Sequence, residues 1–130
     1  MVKESYIVVD FDGTCTTHDY PRIGKDIGAV PVLKKLVGNG HKLIIFTMRS
    51  GDTLANAVNW FKSNDIPLYG IQTNPTQKNW TSSPKAYGHV YLDDAAAFAP
   101  LKEDITISSR PFINWEIMEI ELIRLGLIND

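Results

Sequence analysis

Two aspartates, Asp10 and Asp12, stand two positions apart, directly after the apolar segment 6–9 and directly before a Gly-Thr pair. In an extended chain, residues i and i+2 lie on the same face, so both carboxylates are expected near the carboxyl end of a buried strand, where open α/β sheets bind ligands. At about 4 Å, two unit charges repel by about 4 kcal/mol at an effective dielectric near 20. A cation, a shared proton or a splayed geometry must relieve this repulsion, and the pattern therefore indicates chemistry.

The segment 10–14, Asp-Phe-Asp-Gly-Thr, resembles the first signature of the haloacid dehalogenase superfamily, whose members are mostly magnesium-dependent phosphohydrolases. Three later features resemble its other motifs in the expected order. An apolar strand ends in Thr47, a lysine stands at Lys85, and a second apolar strand ends in Asp93 and Asp94. The resemblance covers residues 6 to 94, which is most of the chain.

The resemblance implies a catalytic set. Asp10 would attack the phosphorus of a phosphomonoester and form an aspartyl-phosphate, which splits one difficult step into two easier ones. Asp12 would act as general acid and base, a role that needs a pKa near the working pH, which crowding by Asp10 could supply. Lys85 would stabilise the charge that develops in the transition state.

The resemblance also implies Mg²⁺ as cofactor, because this ion prefers oxygen ligands and often binds through carboxylates and a substrate phosphate. Asp10 and Asp93 are expected as direct ligands, with the backbone carbonyl of Asp12 as a third. Asp94 would either bind the ion directly or orient a bound water. An Asx turn that caps the strand end is the purely structural alternative for the first acids.

Phosphate binding is expected from Thr47, Lys85 and the turn that follows Thr47. A hydroxyl at a strand end, together with the backbone amides of Met48 and Arg49, can donate to phosphoryl oxygens near a helix N-terminus. Arg49 lies where the helix dipole disfavours a cation. It is expected either to reach a phosphate or another anionic group of the substrate, or to pair with Asp52.

Four other residues are candidates for the site, and each has a structural alternative. His18 and Arg22 could contact substrate from the loop after the first motif, but exposed loop residues without a role are the favoured interpretation. Trp80 could cover the site, although a partly buried anchor is favoured. Cys15, the single cysteine, is expected to pack as a small hydrophobe.

Length and composition predict one domain over residues 1–130, of ordinary globular character. The net charge of −2 gives no overall attraction to nucleic acid or anionic membrane, and no basic stripe with interleaved aromatic residues marks a nucleic-acid surface. No signal-like or membrane-spanning segment is evident, so a soluble, cytoplasmic protein is expected. A nucleic-acid end, a nucleotide, a sugar phosphate and a phosphoprotein all stay open as substrates.

Apolar β-branched segments alternate with segments of helical period, which predicts a three-layer α/β/α Rossmann-like fold with a mainly parallel sheet. The inward residues of the first helix are expected to be Val32, Leu33, Leu36 and Val37, and those of the last Ile113, Ile117, Ile120 and Leu127. Strands are expected over 6–11, 42–47, 67–72, 89–93 and 105–108, and helices over 30–38, 52–64 and 113–126, with a loop over 73–88.

Neither of the two positions at which the superfamily usually carries a cap domain has room for one. The resemblance therefore implies a capless member, whose site is covered by loops, by a large substrate or by a second copy in a homodimer. Two other functions remain open. One is a regulatory phospho-acceptor, and the other is a phosphate-binding protein that keeps the fold without catalysis.

Overall fold

The structure, a computed structural model, describes residues 3–129. Its centre is a four-stranded sheet in the order β3-β2-β1-β4, in which all neighbouring strands run parallel. The strands are β1 (Tyr6–Val9), β2 (Lys42–Ile45), β3 (Gly70–Ile71) and β4 (Val90–Leu92). Because the strands are parallel, their carboxyl ends meet at one edge of the sheet, and the motif residues follow these ends.

Three helices pack on one face of the sheet, and this face holds the main core. They are α1 (Ala29–Gly38), α2 (Gly51–Ser63) and α3 (Trp115–Arg124). The strand residues that face them alternate along the chain, as the period of two requires. The core residues from strands are Ile7, Val9, Leu43, Ile45 and Leu92, and those from helices include Leu33, Leu36, Phe61 and Leu122.

The opposite face of the sheet, here called the loop face, is covered by residues 73–88 rather than by an α-helix. Val8 and Ile44 are buried there with Ala86. The segment contains one short 3-10 turn, Gln77–Asn79. Buried Gln77 holds the loop in shape, since its amide nitrogen donates to the carbonyls of Ser83 (3.1 Å) and Lys85 (3.0 Å). On this face, the loop 73–88 therefore covers the sheet in place of a helical layer.

The α/β class, the Rossmann-like fold and the mainly parallel sheet are confirmed. The helix predicted over 30–38 is α1, and its predicted inward residues Val32, Leu33 and Leu36 are buried. Helix α2 follows the prediction within one residue at each end, and it begins after Ser50, whose amide donates to the Thr53 hydroxyl. The observed strands are shorter than predicted.

Two predictions near the carboxyl end are wrong. Residues 105–108 do not form a strand, because the Asp104 side chain accepts from the amide of Thr106 (3.1 Å) and its carbonyl accepts from Ile107 (3.0 Å), which closes a turn. A two-stranded antiparallel ribbon forms instead from β5 (Leu101–Lys102) and β6 (Phe112–Ile113). Asx turns compete with strand formation in this way.

The predicted inward stripe of the last helix is wrong at two of its four residues. Ile117 and Ile120 are exposed, at 46% and 62%, whereas Ile113 and Leu127 are buried as predicted. The helix buries Trp115, Met118 and Leu122 instead. The period was counted from Ile113, but that residue lies in β6 and the helix begins only after the N-cap Asn114, whose side chain accepts from Ile117 N. The predicted helix 113–126 thus includes the boundary between β6 and α3, and the helical period was started from a residue outside the helix.

Within residues 3–129, both connections that could hold a cap domain consist of loops, over 14–28 and 72–89. No helix in this described part is long and apolar enough to cross a membrane.

Candidate functional site

Three carboxylates converge where β1 and β4 end side by side. Asp10 follows β1, and its amide donates to the carbonyl of Leu92 in β4 (2.9 Å), which keeps the two strand ends in register. Asp93 and Asp94 follow β4. One oxygen from each of the three carboxylates lies within 4.8 Å of the other two. These three residues are called the acidic cluster below.

The buried hydroxyl of Thr14 contacts two residues of the acidic cluster, Asp10 and Asp94. Thr14 Oγ1 lies 2.8 Å from Asp10 Oδ2 and 3.3 Å from Asp94 Oδ1, and it accepts from the backbone amide of Asp94 at 3.0 Å. A hydroxyl has one proton, so it can donate to only one of the two carboxylates at a time. Thr14 therefore fixes the positions of the acids without neutralising their charge.

The electrostatics of Asp10 are unusual. Burial raises the pKa of Asp10 from its ordinary value of 3.8 to about 8. The hydrogen bond from Thr14 opposes this rise, whereas Asp93 and Asp94 add to it by their charges and by hydrogen bonding. Without a cation, Asp10 is therefore largely protonated at neutral pH.

The donor set of the acidic cluster fits a hard divalent cation. Mg²⁺ prefers oxygen ligands and often binds through one or two carboxylates. A cation among these oxygens would offset both the burial and the repulsion that raise the pKa of Asp10. Both oxygens of Asp94 already have partners in the protein, so Asp10 and Asp93 are better suited as direct ligands, and Asp94 as a residue that orients a bound water.

Asp12 is not part of the acidic cluster, because its carboxylate faces Arg49. Asp12 Oδ2 accepts from Arg49 Nε at 2.8 Å, and Asp12 Oδ1 accepts from Arg49 Nη2 at 2.7 Å. The arginine side chain has no exposed surface, while that of Asp12 is 18% exposed. Such a two-pronged ion pair fixes the orientation of both groups.

The rest of the Arg49 guanidinium is also occupied. Arg49 Nη1 donates to the carbonyls of Pro21 and Thr53, both at 3.2 Å, and Nη2 donates to the carbonyl of Arg22 at 2.5 Å. The pairing with Asp52 considered from the sequence is therefore not formed, because Asp12 takes that place. With every nitrogen occupied by the protein, the geometry also argues against a direct phosphate-binding role for the Arg49 side chain.

His18 reaches the acidic cluster, contrary to the interpretation favoured from the sequence. His18 Nε2 lies 2.8 Å from Asp94 Oδ2, and both side chains are mostly buried. Gly13 makes this contact possible, since it has φ +82° and an added Cβ would lie 2.1 Å from His18 Nε2 and 2.4 Å from Asp94 Oδ2. The glycine of the first motif therefore leaves the space in which His18 meets Asp94.

Thr47 lies beyond the end of β2, at the same edge of the sheet. Its hydroxyl accepts from the backbone amide of Arg49 at 3.2 Å. Gln72, which follows β3, clamps the backbone of this turn, because its Oε1 accepts from Thr47 N (2.8 Å) and its Nε2 donates to Thr47 O (2.7 Å). The Met48 side chain is 98% exposed, so only its backbone amide is suited to bind a phosphate oxygen.

Lys85 lies on the loop face, where its ammonium stands 5.6 Å from the centre of the Tyr91 ring. Its backbone amide donates to the Ser83 hydroxyl (3.2 Å). The contacts of Lys85 are therefore with a β4 residue and with its own loop, and its contact with a phosphate stays a prediction.

The other residues weighed from the sequence have clear positions. Cys15 is fully buried in the core, as predicted, and burial raises its pKa well above the ordinary value. Arg22 forms an exposed ion pair with Asp19 at 3.0 Å. Trp80 is 63% exposed, which contradicts its interpretation as a partly buried anchor.

Sequence reasoning missed Gln72 altogether and gave His18 no contact with the acids. Neither residue belongs to a motif, and the contacts span 25 and 76 positions of sequence. One signal was available for His18, because it follows the first motif at a distance of only a few residues. Gln72 carries a left-handed φ of +66°, which the sequence does not reveal.

These features define an α/β protein of Rossmann-like fold, with polar groups gathered at the carboxyl edge of a parallel sheet. No protein-family model matches the chain, and no curated protein matches it. A solved structure of a conserved protein from Bacteroides thetaiotaomicron is similar over 95% of this chain and 92% of its own, with 30% identity and a TM-score of 0.75. The chain belongs to the same family as that conserved protein.

Proposed function

We propose that this protein is a magnesium-dependent phosphohydrolase of the haloacid dehalogenase type, which cleaves a phosphomonoester through an aspartyl-phosphate on Asp10. The observation that supports this most is the acidic cluster, in which Asp10 meets Asp93 and Asp94 within 4.8 Å. A carboxylate with a pKa of about 8 becomes a useful nucleophile at neutral pH only when a cation displaces its proton. Bound at these oxygens, Mg²⁺ would supply charge neutralisation for the carboxylates and for the substrate phosphate.

In the first half-reaction, an oxygen of Asp10 forms a bond to phosphorus and the bond to the leaving oxygen breaks. Asp12, which must be protonated at the start of the cycle, gives this proton to the leaving oxygen and becomes a carboxylate. In the second half-reaction, water attacks the phosphorus of the aspartyl-phosphate, Asp12 accepts a proton from that water, and the bond between Asp10 and phosphorus breaks. Inorganic phosphate is released and the Asp10 carboxylate is restored.

The ion pair between Asp12 and Arg49 adds a condition to this mechanism. Asp12 can donate or accept a proton only if one of its oxygens turns from the guanidinium toward the reacting group. Because Arg49 is held by three backbone carbonyls, we infer that it stays in place and keeps Asp12 close to the site. Arg49 is thus a positioning residue in this proposal.

Phosphate oxygens would be bound by the Thr47 hydroxyl and by the backbone amide of Met48. The Arg49 amide already donates to Thr47 Oγ1, so this amide is occupied, whereas the hydroxyl proton of Thr47 is available to donate to a ligand. Lys85 would approach the phosphate from the loop face. These roles rest on the resemblance and on the shared sheet edge.

A regulatory phospho-acceptor is the second candidate. The observation in its favour is the same Asp12–Arg49 ion pair, because an Asp12 that stays bound to Arg49 cannot activate water. The aspartyl-phosphate on Asp10 would then persist. The lifetime of that adduct separates the two functions.

The test is release of inorganic phosphate from a panel of nucleotides, sugar phosphates, phosphopeptides and phosphorylated oligonucleotides, with and without Mg²⁺. We expect magnesium-dependent release that falls to background in Asp10→Asn, while the fold persists. Asp52→Asn, which changes an exposed acid outside the site, is the matched control and should keep full activity. Full activity in Asp10→Asn would refute the proposal. A phosphoryl adduct that lasts for minutes without turnover would favour the phospho-acceptor.

A further inference from the structure

The turn that follows β2, residues 47–49, has two hydrogen-bond donors that the protein itself does not use. The backbone amide of Thr47 donates to Gln72 Oε1 (2.8 Å), and that of Arg49 donates to Thr47 Oγ1 (3.2 Å). Among residues 3–129, the amide of Met48 has no partner, and the Thr47 hydroxyl accepts a hydrogen bond but donates none. The Met48 amide and the Thr47 hydroxyl are therefore available to a ligand.

This turn lies beside the strand end that carries Asp10. Strands β1 and β2 are parallel, with Val9 opposite Ile45, and the amide of Phe46 donates to the Val9 carbonyl (2.9 Å). Asp10 and Thr47 are the next residues along the two segments. The two available donors therefore belong to the same edge of the sheet as the Asp10 carboxylate.

Gln72 holds the turn in place from the end of the neighbouring strand β3. Its Oε1 accepts from Thr47 N, and its Nε2 donates to Thr47 O (2.7 Å) and to Arg49 O (3.4 Å). Its backbone amide donates to the carbonyl of Ile45 (2.7 Å), so the residue is itself anchored to β2. Thr47 is thus fixed at both its N–H and its C=O, which sets the directions of the donors next to them.

The backbone of Gln72 has an unfavourable conformation. Its φ of +66° lies in the left-handed region, which costs free energy for a residue that carries a Cβ. Glycine would adopt this φ without that cost. The contacts of the glutamine side chain with residues 47–49 offset the strain, and strain of this kind is typical of preorganised functional sites.

We propose that Gln72 is a positioning residue for phosphate binding. It holds the Met48 amide and the Thr47 hydroxyl in place to donate to the phosphoryl oxygens of a substrate. The inference rests on the proposed function, because it concerns the phosphate that Asp10 attacks. Gln72 acts only through the turn 47–49. Donors that are fixed before the phosphate arrives need no reorganisation during the reaction, so a loosened turn should bind phosphate more weakly and react more slowly.

The test uses variants that lose the side-chain contacts but tolerate the backbone conformation. Gln72→Gly relieves the strain, and Gln72→Asn retains an amide that is one methylene too short to contact both groups of Thr47. For both variants, we expect kcat/KM on a substrate that the wild type cleaves to fall at least about 10-fold. Inorganic phosphate, titrated calorimetrically in the presence of Mg²⁺, should bind about 10-fold more weakly.

Two controls separate positioning from a general structural role. The affinity for Mg²⁺ should be unchanged in both variants, because the hydrogen bonds of Gln72 are with residues 45–49 and not with the acidic cluster. Asp65→Gly is the matched variant, since it relieves another left-handed φ (+56°) beyond the carboxyl end of α2. It should leave kcat/KM and phosphate affinity unchanged. Urea denaturation verifies that each variant is folded.

A double-mutant cycle tests whether Gln72 acts through the turn. Thr47→Val removes the hydroxyl donor and should weaken phosphate binding by itself. If Gln72 positions this hydroxyl, the same substitution should cost less affinity in the Gln72→Gly background than in the wild type. Additive losses would contradict a positioning role toward the Thr47 hydroxyl.

Two further outcomes would overturn the inference. One is a wild type that binds no inorganic phosphate, and the other is phosphate affinity that stays unchanged in both Gln72 variants. Failure of the proposed function is distinguishable from these outcomes. The wild type would then release no phosphate from any substrate, while weaker binding of inorganic phosphate in Gln72→Gly and Gln72→Asn would still support the positioning role.

Discussion

Asp10 and Asp12 lie two residues apart in one motif, yet the protein treats their charges in opposite ways. Asp12 is paired with the buried Arg49, which donates to both of its oxygens. Asp10 lies beside Asp93, Asp94 and the Thr14 hydroxyl, and burial raises the pKa of Asp10 to about 8. One carboxylate is neutralised by the fold itself, whereas the other is left in surroundings that disfavour its charge.

This difference indicates that Asp12 has a partly structural role, whereas Asp10 is the acid whose charge an external cation would neutralise. An internal ion pair keeps Asp12 and the loop carbonyls around Arg49 in one arrangement. The acidic cluster instead stores unfavourable electrostatic energy, which a cation can release on binding. Perturbed carboxylates of this kind gather at functional sites.

A large loss of stability is expected when the internal ion pair is broken. Asp12→Asn leaves the Arg49 guanidinium buried without its carboxylate, and it should lower the free energy of unfolding by about 3–5 kcal/mol. Urea denaturation measures this change. Asp19→Asn, which breaks the exposed pair with Arg22, is the control and should have little effect. Equal effects of the two substitutions would contradict the structural role of the Asp12–Arg49 pair.

Removing the Asp10 carboxylate should have the opposite effect on the free energy of unfolding of the metal-free protein. Because the pKa of Asp10 is about 8 in the folded protein and near 3.8 when unfolded, the folded state retains a proton that the unfolded state loses. In the absence of divalent cations, the free energy of unfolding should fall as pH rises from about 4 to about 8, by at most about 1.4 kcal/mol per pH unit. Asp10→Asn should flatten this slope and stabilise the metal-free protein at pH 8. A variant less stable than wild type there would contradict the account.

A smaller effect is expected from the residue that orients Asp94. His18→Leu removes the contact with Asp94 Oδ2, and it should weaken Mg²⁺ binding about 10-fold, as is typical when a residue that holds a metal ligand is lost. His18→Gln retains a polar side chain and should lose less. If both variants bind the ion as wild type does, His18 has no part in the site.

The sequence predicted those parts of the fold that depend on local pattern. Segments 6–9 and 42–45 are apolar and β-branched, and α1 shows a clear helical period, so their assignment needed no distant contact. The prediction for 105–108 was wrong because the Asp104 side chain closes a turn against a segment of high β propensity. The prediction that Ile117 and Ile120 point inward was wrong because Ile113, from which the helical period starts, belongs to a strand.

For the candidate site, the motif spacing placed Asp10, Asp93 and Asp94 at one sheet edge, and the structure brings them together. The partner of Arg49 could not be read from the sequence, because Asp12 lies 37 positions away and Asp52 is the nearer acid. The contact between the rings of Tyr6 and Tyr87 was equally hidden, since these residues meet only when the sheet forms. Local patterns predicted the elements, and long-range contacts decided the electrostatics.

The acidic cluster as a divalent cation site is the central claim, and calorimetric titration of the metal-free protein with Mg²⁺ near pH 7 tests it most directly. We expect saturable binding of one ion per chain, with release of up to about one proton, because the ion displaces the proton that Asp10 holds. Buffers of different ionisation enthalpy measure the proton release. Asp93→Asn should abolish binding and Asp52→Asn should leave it unchanged. Absence of saturable binding, or binding that survives in Asp93→Asn, would contradict the claim.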